Sequence, residues 1–263
     1  MIVGLIEGTH KYTWNQALKA AEARGHCLSL PYGLIKVASQ QRIYTEPSMS
    51  QIFADCPRRA VLGYLIDHFV SPEACYFMNF GTLVHNALAQ VDFNTWITLR
   101  EQKLCHRLPS GLYVSGTPDL YEYKTAAVTD YKTTRTSNKT WPRAEHVGQI
   151  NGYAWLYTQE GLPVRRLVIF YLTFFNFVPY LIAKWSEEKI LAELNRRAPV
   201  IAAAYKDFVV PPQCPPGHCN TCQVREFCQI NCPEGRFQLA EKWVSPMVKD
   251  AYAGRRGEDG TGN

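Results

Sequence analysis

The most informative segment of the chain reads Val114-Ser115-Gly116-Thr117-Pro118-Asp119, and Asp130-Tyr131-Lys132 begins eleven residues after its aspartate. The segments on both sides of a central turn are rich in Tyr, Val and Thr, which favour strands. We therefore predict a hairpin with arms over residues 111–123 and 126–133. Residues two apart in a strand point to the same face, so Asp130 and Lys132 share a face and pairing brings Asp119 beside them.

Two carboxylates placed this closely repel each other unless a cation lies between them. Carboxylate oxygens are hard ligands that suit Mg²⁺ or Mn²⁺. An ion held by Asp119 and Asp130 can bind a phosphate oxygen and acidify a water, while Lys132 orients the hydroxide. An ordinary surface hairpin with an Asp–Lys pair explains the same short motif, so other parts of the chain must decide.

Composition and charge place the chain among globular proteins. It has 263 residues, a hydrophobic fraction of 46% and a formal net charge of +5, which suits a polyanionic partner without requiring one. The apolar run at Met1–Ile6 is too short for a signal peptide, and no stretch reaches the ~18 apolar residues of a membrane span. We expect a soluble, cytoplasmic protein with no membrane partner.

Helical and strand-like segments surround the hairpin. Apolar periodicity predicts helices over 14–24, 58–69, 80–91, 142–157 and 186–205, and another that begins at Ser48 or Ser50. Runs of β-branched and aromatic residues predict strands over 99–107, 166–175 and 178–185. This order predicts an α/β fold with a central mixed sheet flanked by helices.

Two further patterns lie on predicted helices. Gly81 and His85 form a Gly-x-x-x-His setting, and Gln149 and Tyr153, four residues apart, share one helix face. With Gly-x-x-Asp ending at Asp119 and Asp-x-Lys over 130–132, in this order, they resemble the RecB-like branch of the PD-(D/E)XK nucleases. The resemblance extends over residues 48–230 and implies a restriction-endonuclease-like core.

The resemblance implies a metal-dependent DNA exonuclease that hydrolyses phosphodiester bonds with Mg²⁺ or Mn²⁺. It implies a preference for single-stranded DNA ends and a place in DNA recombination, repair or processing. The metal ligands carried over are His85, Asp119, Asp130 and the carbonyl of Tyr131.

The resemblance also assigns the remaining catalytic residues. Lys132 is the catalytic lysine, and Gln149 and Tyr153 help to position the scissile strand. Relatives often carry an acidic residue where Glu101 lies, and we give Glu101 a minor role.

Nine cysteines in a chain expected to be intracellular indicate metal binding rather than disulfides. Three of them follow the spacing Cys-x₂-Cys-x₅-Cys near the C-terminus, and Cys56 lies more than 160 residues before the first of these. Thiolates suit iron–sulfur clusters or zinc, and either would clip distant parts of the domain together. A zinc site would take His218 or Cys232 as its fourth ligand.

The distant Cys56 favours the cluster over zinc. The whole pattern resembles the [4Fe–4S] clip of AddB-type nucleases and of CRISPR-associated RecB-like exonucleases. This resemblance makes Cys56, Cys219, Cys222 and Cys228 the ligands of a structural cluster.

The other five cysteines fall into two groups, possible alternative ligands and buried thiols. Cys214 and Cys232 lie near the C-terminal trio, so the choice of ligands stays open. We expect Cys27, Cys75 and Cys105 to be buried thiols.

Basic and aromatic residues near the predicted site suit a nucleic-acid strand and should make binding salt-sensitive. The predicted contact residues are Arg58, Arg59, Arg135, Lys139, Trp141 and Arg143. We divide the chain into an N-terminal extension (1–47), a nuclease domain with its clip (48–232) and a C-terminal segment (233–263). The glycine-rich tail from about residue 252 is expected to be disordered.

Two other functions compete with the exonuclease. One is a catalytically idle DNA-binding subunit of a larger complex, and the other is a zinc-stapled RNA-processing endonuclease. The intact Asp119, Asp130 and Lys132 favour an enzyme over an idle subunit. The resemblance also suggests protein partners in a recombination or CRISPR-type complex, while cleavage polarity and oligomeric state are not determined by sequence.

Overall fold

The computed structural model describes residues 28–30, 33–36, 46–65, 68–70, 80–88, 98–134, 142–173, 176–207, 209–212, 219, 222–225 and 228. The chain forms two compact units: the first comprises 1–45, 58–76 and 203–263, and the second comprises 46–57 and 77–202. The predicted helix over 14–24 and the segment 233–263 lie outside the described residues, and the predicted domain bounds stay a prediction.

The described elements alternate between short strands and helices. In chain order they are β1 (Leu28–Leu30), β2 (Gly33–Lys36), α1 (Met49–Ile52), α2 (Pro57–Leu65), β3 (His68–Val70), α3 (80–88), β4 (Thr98–Arg100), β5 (Leu104–Arg107), β6 (Tyr113–Gly116), β7 (Leu120–Glu122), β8 (Ala127–Thr133), α4 (Ala144–Gln159), β9 (Arg166–Leu172), β10 (Phe177–Ile182) and α5 (Glu187–Asp207). None of the described helices has the length and apolarity needed to cross a bilayer.

The first unit contains a three-stranded antiparallel sheet in the order β1-β2-β3, and α2. The predicted helix over 58–69 is wrong at its end, because α2 stops at Leu65 and residues 68–70 pair with β2 instead. Phe and Val favour an extended backbone, so a pairing strand competes successfully with the last helical turn.

The second unit contains a five-stranded sheet in the order β10-β9-β8-β7-β4. Strands β8 and β9 are parallel and the other neighbours are antiparallel, which confirms the predicted mixed sheet. The predicted hairpin is confirmed where β7 pairs with β8, with Leu120 opposite Thr129. Helix α4 connects β8 to β9, as a parallel pair requires a crossover.

Two predicted strands are each divided in two. The strand over 99–107 breaks between β4 and β5, where Glu101 has a positive φ of 49°. The arm over 111–123 breaks between β6 and β7, and β5 pairs with β6 in a sheet of its own. Pro118 has no N–H to donate to a ladder, which favours the second break. Both breaks carry a carboxylate, and this places Glu101 and Asp119 near each other.

Helix α4 lies in the core of the second unit. Its residues 148–157 are all buried, as expected for a helix covered on every side. The ring centroids of Tyr157 on α4 and Tyr121 on β7 lie 4.7 Å apart, and the Tyr121 hydroxyl donates to the Pro163 carbonyl at 2.7 Å. At the entry to α5 the Lys189 N–H donates to Ser186 Oγ at 3.3 Å, which is the hydrogen bond of a serine N-cap.

Close packing of α4 against α1 makes a prediction about stability. A Cβ added at Gly148 would collide with the Phe53 ring, so Gly148→Ala should lower the free energy of unfolding by about 2 kcal/mol. Gly63→Ala in α2 is the control, because a Cβ there meets nothing within 4 Å and should be neutral or stabilising. Urea unfolding of both variants measures the difference, and equal effects would contradict the packing.

Candidate metal centre

Three potential metal ligands converge in the second unit. His85 from α3, Glu101 after β4 and Asp119 before β7 each offer a ligand atom, and these atoms lie within 4.8 Å of one another. His85 Nδ1 is 3.2 Å from Asp119 Oδ1 and 3.9 Å from Glu101 Oε1. One imidazole and two carboxylates suit a divalent cation. The same three residues line a small pocket together with Arg100 and Tyr131.

The backbone holds the two carboxylates in place. The Glu101 N–H donates to the Asp119 carbonyl at 3.3 Å, and the Tyr131 N–H donates to Asp119 Oδ2 at 2.6 Å. One carboxylate oxygen of Asp119 is therefore fixed by β8, while the other faces His85. The left-handed backbone of Glu101 is uncommon outside glycine, and such conformations cluster at functional sites.

The carboxylate of Asp119 raises the pKa of both of its neighbours in the pocket. A hydrogen bond with Asp119 is the main cause that raises the pKa of His85, against the lowering effect of burial. Burial, followed by the charge of Asp119, raises the pKa of Glu101. Both groups therefore hold protons more tightly than usual, and a divalent cation would relieve the same repulsion.

Asp130 and Lys132 form a buried ion pair on β8. Asp130 is 1% exposed, and Lys132 Nζ lies 2.7 Å from its Oδ2. Burial raises the pKa of Asp130 to about 6, opposed by the charge of Lys132. Burial lowers the pKa of Lys132, but the charge of Asp130 outweighs it and the pKa is raised. Asp130 is outside the convergent group, and its role as a ligand stays a prediction.

Gln149 and Tyr153 are buried on α4. Gln149 Nε2 donates to the Tyr153 hydroxyl at 2.6 Å, and both side chains are less than a tenth exposed. The Tyr153 ring packs on Gly116, where a Cβ would lie 2.7 Å from it. Burial and then the charge of Asp130 raise the pKa of Tyr153. Tyr153 therefore packs against β6 from inside, and the contact of the pair with a nucleic-acid strand stays a prediction.

The sequence did not indicate a second cleft, which lies beside Lys132. Arg143, His146 and Tyr171 line it together with His85, Tyr131 and Lys132. The Arg143 N–H donates to the Tyr171 hydroxyl at 3.1 Å, and His146 Nδ1 lies 2.8 Å from that oxygen. His146 precedes Gln149 and Tyr153 by three and seven residues, so helical spacing was the available signal.

The environment of His146 predicts acid sensitivity. Burial, and then the charges of Lys132 and Arg143, lower the pKa of His146 to about 3 in the folded protein. Below the unfolded value near 6.5 the unfolded chain takes up a proton that the folded chain refuses, so stability is lost as pH falls. Between pH 7 and 5 the parent should lose about 2 kcal/mol more than His146→Gln in urea unfolding. Parallel acid profiles for the two proteins would contradict this prediction.

The predicted nucleic-acid contacts have different environments. Arg58 is buried, with Nε donating to the Pro211 carbonyl at 3.0 Å and Nη1 to Cys228 Sγ at 3.6 Å. Arg59 and Arg143 are exposed, and Arg143 Nη1 lies 3.5 Å from Glu145 Oε1. Three others lie outside the described residues: Arg135, Lys139 and Trp141.

The described cysteines lie in both units. Cys219, Cys222 and Cys228 are half-buried in the first unit, where the Cys222 N–H donates to the Cys219 carbonyl at 3.2 Å. Their role as ligands of a cluster stays a prediction. Cys56 is buried in the second unit.

The prediction that Cys105 is buried is wrong. Its side chain is exposed, because alternate residues of β5 face solvent in the two-stranded sheet. Five further residues that were predicted to be thiols or alternative ligands lie outside the described residues: Cys27, Cys75, Cys214, His218 and Cys232.

Comparisons with known proteins agree with this geometry. The family model of the PD-(D/E)XK nuclease superfamily matches residues 92–229, just over half of the chain. A solved structure described as "Crystal structure of SSO0001" is similar in fold, with a TM-score of 0.51 and 18% sequence identity. That alignment covers 84% of this chain and 97% of the other. No curated protein matches the chain.

Proposed function

The chain belongs to the PD-(D/E)XK nuclease superfamily, and from this premise we propose that it is a metal-dependent DNA exonuclease that hydrolyses phosphodiester bonds. The observation that carries the proposal is the convergence of His85, Glu101 and Asp119 beside the ion pair of Asp130 and Lys132. The RecB-like order of the motifs, with the literal Pro-Asp and Asp-x-Lys signatures, supports the same proposal.

The donor set of the pocket fits Mg²⁺ or Mn²⁺, with His85, Glu101 and Asp119 as ligands. By resemblance, Asp130 and the Tyr131 carbonyl belong to the same shell. When bound, a divalent ion stabilises negative charge on the phosphate and acidifies water. Lys132 has a raised pKa and stays charged at neutral pH, so its ammonium adds to the stabilisation of that phosphate. Asp130 holds this ammonium in position.

We further propose single-stranded DNA ends as the preferred substrate, within recombination, repair or a CRISPR-type complex. The support is the resemblance, the net charge of +5 and the cation that Arg143 brings to the cleft beside Lys132. Digestion of single strands labelled at either end tests the proposal, with linear and circular forms compared in Mn²⁺ and in EDTA. We expect mononucleotides or short fragments from linear strands in Mn²⁺ only. Equal digestion of circles would indicate an endonuclease, and no digestion would contradict the proposal.

An iron–sulfur cluster is the second cofactor that we propose. Cys219, Cys222 and Cys228 are soft donors within one short segment, and the Arg58 guanidinium donates to the Cys228 sulfur, which suits a thiolate ligand. Cys56 completes the proposed set on the basis of its sequence setting alone. The cluster would have a structural role.

Anaerobic purification should therefore yield a brown protein that contains iron and sulfide. Cys222→Ser should lose most of the iron and part of the stability, because metal binding couples to folding. Cys105→Ser is the matched control, since this exposed thiol lies outside the proposed set. A colourless protein with stoichiometric zinc would contradict the iron–sulfur cluster and indicate a zinc site.

A further inference from the structure

One face of strands β9 and β10 is apolar and partly exposed. Register pairs Leu172 with Phe177, Phe170 with Pro179, and Val168 with Leu181. We call these six residues the apolar sheet face. Phe177 is 68% exposed and Leu181 is 76% exposed on β10, the edge strand of the sheet. Exposed apolar patches of this kind mark binding surfaces.

Aromatic rings connect this face to the metal pocket. Tyr131 on β8 is in register with Phe170 on β9, and their ring centroids lie 5.9 Å apart at an angle of 37°. Phe170 and Phe177 follow with centroids 6.4 Å apart at 44°. Tyr131 lines the metal pocket, and its ring centroid is 6.3 Å from that of His85. We call Tyr131, Phe170 and Phe177 the aromatic ladder.

We propose that the aromatic ladder stacks the bases of a single-stranded nucleic acid whose backbone lies at the metal centre. The proposal rests on the nuclease function proposed above. Every base has a π-face, so stacking on aromatic side chains holds a strand without selecting its sequence. Sheets elsewhere use aromatics on neighbouring strands in this way. Arg166 lies two residues before Val168 on the same face of β9 and is exposed, so it can meet phosphate.

The edge strand β10 is poorly suited to bind an added β-strand from another protein. A protein segment that added a strand to β10 would need the N–H groups of that strand, and Pro179 at its centre has none. The aromatic ladder is also continuous with the metal pocket, which favours a single-stranded nucleic acid over a second copy of the chain as the bound partner.

Fluorescence anisotropy with a short labelled oligothymidylate in EDTA tests the proposal without cleavage. Phe177→Ala should raise Kd about fivefold or more, because the variant loses the stacking of one base. Phe177→Trp should keep or improve the affinity. Tyr113→Ala is the matched control, because Tyr113 is an exposed aromatic residue on β6, outside the apolar sheet face, and its loss should leave Kd within about twofold. An abasic oligomer of the same length should bind the parent and Phe177→Ala equally.

The outcomes separate this inference from the nuclease function. If Phe177→Ala binds oligothymidylate like the parent while the parent digests DNA in Mn²⁺, the ladder is overturned and the nuclease stands. If Phe177→Ala changes the sedimentation of a dimer to that of a monomer at unchanged Kd, the face is an interface between copies and the inference fails. A parent that neither binds nor digests single strands overturns both.

Discussion

Asp119→Asn is expected to lower the rate of DNA hydrolysis in Mn²⁺ about a thousandfold. The substitution removes the carboxylate charge that lies 3.2 Å from His85 and converges with Glu101. An amide at this position is a weaker ligand for a hard cation, while its oxygen can still accept from the Tyr131 N–H. The variant should therefore fold and lose its metal.

The electron paramagnetic resonance signal of free Mn²⁺ measures metal binding independently of activity. The parent should deplete this signal, and Asp119→Asn should leave most of it. Asp207→Asn is a suitable control, because Asp207 is exposed at the end of α5 and distant in sequence from the candidate centre. Unchanged hydrolysis and Mn²⁺ binding in Asp119→Asn would remove Asp119 from the metal centre.

Lys132→Met should also reduce hydrolysis about a thousandfold, but with Mn²⁺ binding retained. In the proposed mechanism the ammonium supplies charge to the phosphate, and a protonated ammonium has no lone pair with which to bind a metal. Its removal leaves Asp130 buried without a counter-ion, so we expect a loss of about 3 kcal/mol in unfolding free energy as well.

The double variant Asp130→Asn/Lys132→Met separates catalysis from folding. Without the unpaired buried carboxylate it should regain much of the stability in urea unfolding while remaining inactive. Lys124→Ala, in the exposed turn between β7 and β8, should retain activity and serves as the charge control. Parent-like hydrolysis in either Lys132 variant would exclude Lys132 from catalysis.

Much of the fold could be predicted from local patterns. Segments rich in Tyr, Val and Thr predicted the hairpin of β7 and β8, and apolar periodicity predicted the helix that the structure shows as α4. These features depend on the spacing of apolar residues along each segment and on short-range geometry, and both can be read from the sequence. The resemblance to the RecB-like nucleases implied that His85 and Asp119 would lie together, and His85 Nδ1 is 3.2 Å from Asp119 Oδ1.

The position of Glu101 depended on tertiary structure. A strand pattern over 99–107 continues through this residue, yet the chain leaves one sheet there and enters another, with a left-handed backbone at the break. Which sheet each half joins depends on packing against distant segments, and no local propensity encodes that choice.

The mixed sheet and the residue types of a hard-metal site could be predicted from the sequence, because strand and helix periodicity and motif composition are properties of short segments. Three features became visible only in the folded chain: the burial of Asp130 against Lys132, the cleft that His146 and Tyr171 form beside them, and the aromatic ladder that leads to the sheet edge. Burial and the register of neighbouring strands depend on which segments meet across the core, and that information is spread over the whole chain.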